Sequence, residues 1–72
     1  MPKRDHSGSQ RGLGRRRRMV GLTQHDVAKA TGISVSRIVF AETGRIDLEP
    51  AEVEKVHNVL RQRARRAMDA VA

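Results

Sequence analysis

Apolar residues recur at helical spacing in four stretches, each closed by a recognisable stop. Leu13, Arg17 and Val20 fall at i, i+4 and i+7 on one face, predicting a first helix over residues 10–20. Gly12 and Gly14 oppose it, each costing about 1 kcal/mol against Ala inside a helix. Gly21 is placed to end it. Thr23 is a cap for a second helix over residues 24–31, with Asp26 at the third position, where a carboxylate favours the positive helix end. Val27, Ala28 and Thr31 share its inner face, and Gly32 closes it. Ser34 then caps a third helix over residues 35–43, ended by Gly44. Two short helices separated by a Gly-containing turn form a helix-turn-helix pattern. After a connector over residues 45–49, Pro50 suits the first position of a fourth helix, with Glu49 as cap and Glu52 in its acidic first turn. Val53, Val56 and Leu60, with Val59 beside them, carry its seam to about Met68. Ala64, Ala67 and Val71 prolong that seam. No strand-like alternation competes, so the expected fold is all-α.

Charge divides the same chain differently. Residues 1–20 carry seven Lys/Arg against Asp5 alone, whereas residues 21–50 carry Lys29, Arg37 and Arg45 against Asp26, Glu42, Asp47 and Glu49. A near-neutral folded unit with a basic segment in front is the pattern expected of a polyanion binder. Residues 1–9 lack apolar periodicity and are expected to form a flexible basic arm. The division is therefore an arm over 1–9, a helix-turn-helix domain over 10–60, and a helical extension over 61–72. With 72 residues there is one domain and a thin stability margin, which association into oligomers commonly relieves. The absence of Cys excludes disulfides and thiolate metal sites and fits a reducing compartment, and the expected location is the cytoplasm. No stretch approaches the ~18 apolar residues of a membrane span.

The residues Gly21-Leu22-Thr23-Gln24, Val27-Ala28, Gly32-Ile33-Ser34, Ile38, Glu42 and Gly44, in this spacing, resemble the Cro/cI-type (XRE-like) helix-turn-helix family of phage and bacterial regulators. The resemblance covers about residues 12–60. It implies a compact lambda-repressor-like domain of four to five helices whose third helix enters the major groove. Carried over position by position, it implies base reading by Val35, Ser36, Arg37 and Phe40, and phosphate contacts from Thr23, Gln24, Thr43 and Arg45. It also implies an ion pair between Glu42 and Arg17. Arg37 suits a bidentate contact to guanine, or alternatively a phosphate. Phe40, the single aromatic, is expected either on thymine methyls or in the core, where it would offset the small Ala41 at a position the family usually fills with a bulky aliphatic. Lys3, Arg4 and Arg11 are expected to contact the duplex as a basic arm, or else to form a solubilising tail.

Two departures from the family stand out: Pro50 opens the fourth helix where an apolar residue is common, and residues 61–72 continue as a basic helix. One reading of that extension is a homodimer contact through Val59, Leu60, Arg63, Ala64 and Ala67; the other is a frayed terminus. A dimer would read a pseudo-palindromic operator with half-sites about 34 Å apart.

Chemistry for catalysis is not apparent. His6, His25 and His57 are too scattered for a local metal site, and neither a Gly-rich phosphate loop nor a nucleophile elbow occurs. The expectation is a non-enzymatic regulator, a repressor of the phage, plasmid or restriction-controller kind, with double-stranded DNA as partner. No cofactor, metal, membrane or small-molecule ligand is expected. The competing readings are a helix-turn-helix adaptor or antitoxin-like interaction module, and a non-specific nucleic-acid binder driven by the arginines.

Overall fold

The computed structural model describes residues 4–71, with the side chains of 4–9, 11, 70 and 71 outside the description. It holds four helices, α1 (Arg4–Met19), α2 (Gln24–Thr31), α3 (Val35–Glu42) and α4 (Pro50–Val71), and no strand among the described residues. Three of the helices end or begin close to the residues the sequence predicts. The exception is α1, which starts six residues earlier than expected, so residues 4–9 of the supposed arm have helical backbone. Once a turn is nucleated, each further residue adds one hydrogen bond, which here is set against the poor helix propensity of Ser and Gly. Of the arm contacts, Lys3 lies outside the described residues, as do the side chains of Arg4 and Arg11.

The ends of α2 show how local chemistry fixes the turn. Thr23 Oγ1 accepts from the Asp26 amide at 3.0 Å, and Asp26 Oδ2 accepts from the Thr23 amide at 2.8 Å. This reciprocal capping box satisfies two backbone donors that the helix leaves free. At the other end Gly32 has φ +79°, a left-handed conformation that only glycine adopts without strain. That single residue turns the chain from α2 toward α3. Ser34 then caps α3, its Oγ accepting from the Arg37 amide at 3.2 Å.

The core is drawn from every element: Leu13 of α1, Val27 and Ala28 of α2, Ile33 from the turn, Ile38 and Ala41 of α3, Leu48 of the connector, and Val56 and Leu60 of α4. Leu60 is only 2% exposed. It was expected in the dimer seam and belongs instead to the core, because its position on α4 turns it toward the other helices. A gap no larger than a water molecule is lined by Ala41 together with Leu13, Arg17, Val27, Ile38, Glu42, Leu48 and Val56. Phe40 does not fill that space. It is 39% exposed and faces away.

One polar group is built into this core. Gln10, 6% exposed, accepts from the Leu48 amide through Oε1 at 2.7 Å and donates from Nε2 to the Leu48 carbonyl at 3.4 Å. The amide side chain thereby satisfies both backbone groups of a buried connector residue, which would otherwise be left without partners. Sequence reasoning placed Gln10 only at the start of a helix. Its pairing with Leu48 is a tertiary contact across 38 residues, and no local pattern encodes it.

Candidate nucleic-acid interface

Each residue of a helix is rotated about 100° from the last, so the buried Ile38 and Ala41 define which side of α3 faces out. Ser36, Val39 and Phe40 lie opposite them, with Thr43 one turn on. Ser36 and Phe40 are exposed and Val39 is half-buried. Val39 was not among the expected reading residues, although the same 100° rotation places it beside Ser36 and Phe40. Val35 was expected to read bases and does not stand free. It packs against the core cluster from the flank of α3.

The polar residues around this face are held by other residues of the protein. Arg45 stacks over the Phe40 ring, its guanidinium carbon 5.6 Å from the centroid. Thr43 donates its hydroxyl to the carbonyls of Val39 and Phe40 at 3.1 and 3.2 Å. A phosphate oxygen only accepts, so Thr43 must release these bonds to donate to one. Gln24, expected at a phosphate, donates from Nε2 to Glu42 Oε1 at 3.0 Å.

Arg37 is the largest departure from expectation. Its Nη2 and Nε meet Glu52 Oε1 and Oε2 at 2.6 and 3.2 Å. The guanidinium is thus tied to the first turn of α4 by a bidentate pair instead of standing free toward a base. Glu52 also accepts from the Glu49 amide at 2.8 Å, closing the N-terminus of α4. The Arg37 guanidinium and the Glu49 amide together hold the Glu52 carboxyl below its usual range, and the Glu52 carboxylate in turn raises Arg37 above its own.

On the inner side of α3, Arg17 and Glu42 are joined. Arg17 Nε donates to Glu42 Oε2 at 2.8 Å and Nη2 to Oε1 at 3.1 Å, while Nη1 donates to the Leu22 carbonyl at 2.9 Å. Both side chains are 9% exposed. Burial pushes the Glu42 carboxyl up, but the Arg17 and Gln24 hydrogen bonds and the charges of Arg17 and Arg18 outweigh it, and the group lies below its ordinary value. A Cβ on Gly14 would stand 2.9 Å from Glu42 Oε1. The glycine that weakens α1 by propensity is therefore what lets Glu42 approach it.

The family model described as Helix-turn-helix, of the XRE-like Cro/cI type, matches residues 13–64. The chain belongs to this helix-turn-helix family. It is a family of DNA-binding regulator domains and not an enzyme family. No curated protein and no solved structure matches the chain.

The residues expected at a dimer contact are dispersed. With Leu60 in the core, Val59 and Ala64 are half-buried and Ala67 is exposed, next to Met68 at 72% exposure. Arg63 donates to the Val20 carbonyl at 3.3 Å and so closes the C-terminal end of α1. Among the described residues no group of His, Asp and Glu is arranged to hold a metal, and no helix is long and apolar enough to cross a membrane. Burial, then the charges of Arg16 and Arg61, lower the His57 pKa from 6.5. Its buried Nε2 has no hydrogen-bond partner.

Proposed function

We propose that this protein is a sequence-specific transcriptional regulator that binds a pseudo-palindromic operator as a homodimer and represses by occupying it. The observation that carries the reading is the outward face of α3, with Ser36 and Phe40 exposed and Val39 half-buried beside them, in a domain of a DNA-binding family. Ser36 would hydrogen-bond a base edge, while Val39 and Phe40 would contact thymine methyls. Arg45 and Thr23 would fix register on the phosphates directly, and Thr43 and Gln24 after releasing their present acceptors. Lys3, Arg4 and Arg11 would add contacts from the N-terminal segment. Ala64, Ala67 and Met68 on the last turns of α4 would supply the contact between protomers. Pairing two modules gains affinity through effective concentration, which one module with few polar readers needs.

Selection from a random duplex pool tests this directly. The expected product is a two-fold symmetric site with half-sites about one helical turn apart. A pool in which nothing is enriched overturns the reading. The apolar character of Val39 and Phe40 would then favour the adaptor, with α3 docking on a protein.

A further inference from the structure

We propose that Glu52 is a specificity-determining residue: it keeps the Arg37 cation paired and so withholds it from indiscriminate phosphate binding. This inference rests on the DNA-binding reading above.

Position makes Arg37 a border residue. It lies about 100° around α3 from Ser36 and about 60° from Phe40, next to the face offered to the groove. Its charge would reach DNA if nothing held it. Glu52 holds it with both carboxylate oxygens, occupying the Nε–Nη2 edge that would otherwise form a fork onto a phosphate or a guanine. Glu52 is itself anchored by the Glu49 amide. The Arg37 side chain is 42% exposed and that of Glu52 23%, so the arginine is the partner with room to swing.

The exchange differs between matched and random DNA. An exposed ion pair contributes little net free energy, so a competing anion can open it. Opening leaves Glu52 unpaired, close to Glu49 and facing a polyanion. On random DNA the chain is held by phosphate contacts alone, so the contact that Glu52 withholds would add in full. On a matched site Ser36, Val39 and Phe40 fix the register, and Arg37, on the flank of α3, stays with Glu52. Glu52 therefore lowers the affinity for random sequence more than for the operator.

The test measures binding of the full chain to a selected operator and to a random duplex across a salt series, for wild type, Glu52→Gln, Arg37→Met and the double variant. Gln can still accept from the Glu49 amide, and circular dichroism verifies that each variant is folded. Glu52→Gln is expected to bind random DNA several-fold tighter, with the log–log salt slope steeper by about one. Operator affinity should rise less, so the ratio between them falls. In the Arg37→Met background the same change should leave the slope as it was. Unchanged random binding, an equal gain on both DNAs, or the same gain without Arg37 overturns the proposal; the last would mean that Glu52 acts only through its own field. A wild type with no preferred sequence removes the DNA-reading proposal as well, and that result precedes any variant.

Discussion

Helix α3 is held on two sides by an arginine–glutamate pair, and the two pairs share composition and geometry but not surroundings. Each is bidentate, with distances of 2.8 and 3.1 Å for Arg17–Glu42 and 2.6 and 3.2 Å for Arg37–Glu52. The inner pair is 9% exposed on both sides, while the outer pair is 42% and 23% exposed. Burial, not contact geometry, decides what each can do. The inner pair has no solvent to fall back on, so its halves are bound to one another. Water and counterions stand ready to replace either half of the outer pair. The first is suited to fixing α3 against α1, and the second to exchanging partners at a ligand surface.

The largest expected effect comes from breaking the inner pair on one side. Arg17→Met leaves the Glu42 carboxylate buried without its guanidinium, a change that costs about 3–5 kcal/mol. Small domains have on the order of 5 kcal/mol in total, so most of the stability should disappear in urea denaturation. The pH dependence sharpens this. In wild type the folded-state pKa of Glu42 is depressed, so its contribution is fully present above the ordinary value of 4.5 and fades as pH falls through the folded value. In Arg17→Met burial acts with less opposition, and protonation relieves the stranded charge. The deficit relative to wild type should therefore shrink on acidification, from the variant's higher folded value down through the depressed wild-type one. A deficit that is constant with pH would show that lost packing, not lost pairing, carries the effect.

A smaller effect tests the steric side of the same pair. Gly12 and Gly14 are both in α1, yet a Cβ at Gly12 meets nothing within 4 Å while one at Gly14 meets Glu42 at 2.9 Å. Gly12→Ala should stabilise by about 1 kcal/mol through helix propensity alone. Gly14→Ala gains the same propensity but crowds a carboxylate that Arg17 and Gln24 hold in place, and overpacking of this kind costs about 1–3 kcal/mol. The net expectation is a modest loss, opposite in sign to Gly12→Ala. Equal stabilisation by both would mean that Glu42 moves aside freely.

How much of this was legible in the chain follows from the range of each interaction. The caps Thr23 and Ser34 and the turn glycine Gly32 act within a few residues, and their types announce them. The Arg17–Glu42 contact spans 25 residues and was reachable only through the family resemblance. Arg37–Glu52 was missed because each member already had a sufficient local reading, one as an outward cation and the other as a first-turn acid. Only the path of the connector, pinned by Gln10 to Leu48, brings them together. Val35, expected at the bases, packs against the core for a different reason. An eight-residue helix has flanks as well as faces, and residues on a flank are assigned by what packs beside them. Val39, in contrast, follows from rotation alone once Ile38 and Ala41 are known to be buried.

The smallest expected effect belongs to the outer pair and completes the contrast. Removing Arg37 from it, as Arg37→Met, exposes the Glu52 carboxylate to water that solvates it readily, and Glu52 keeps its bond to the Glu49 amide. Global stability in denaturant should be indistinguishable from wild type, and should stay so in molar salt, where any residual attraction across the pair is screened. A clear loss at low salt that vanishes at high salt would mean the pair contributes to the fold through charge. A loss that persists at high salt would mean the Arg37 stem packs against α4. Either result would draw the outer pair toward the inner one, since a contact that supports the fold is not free to change partners.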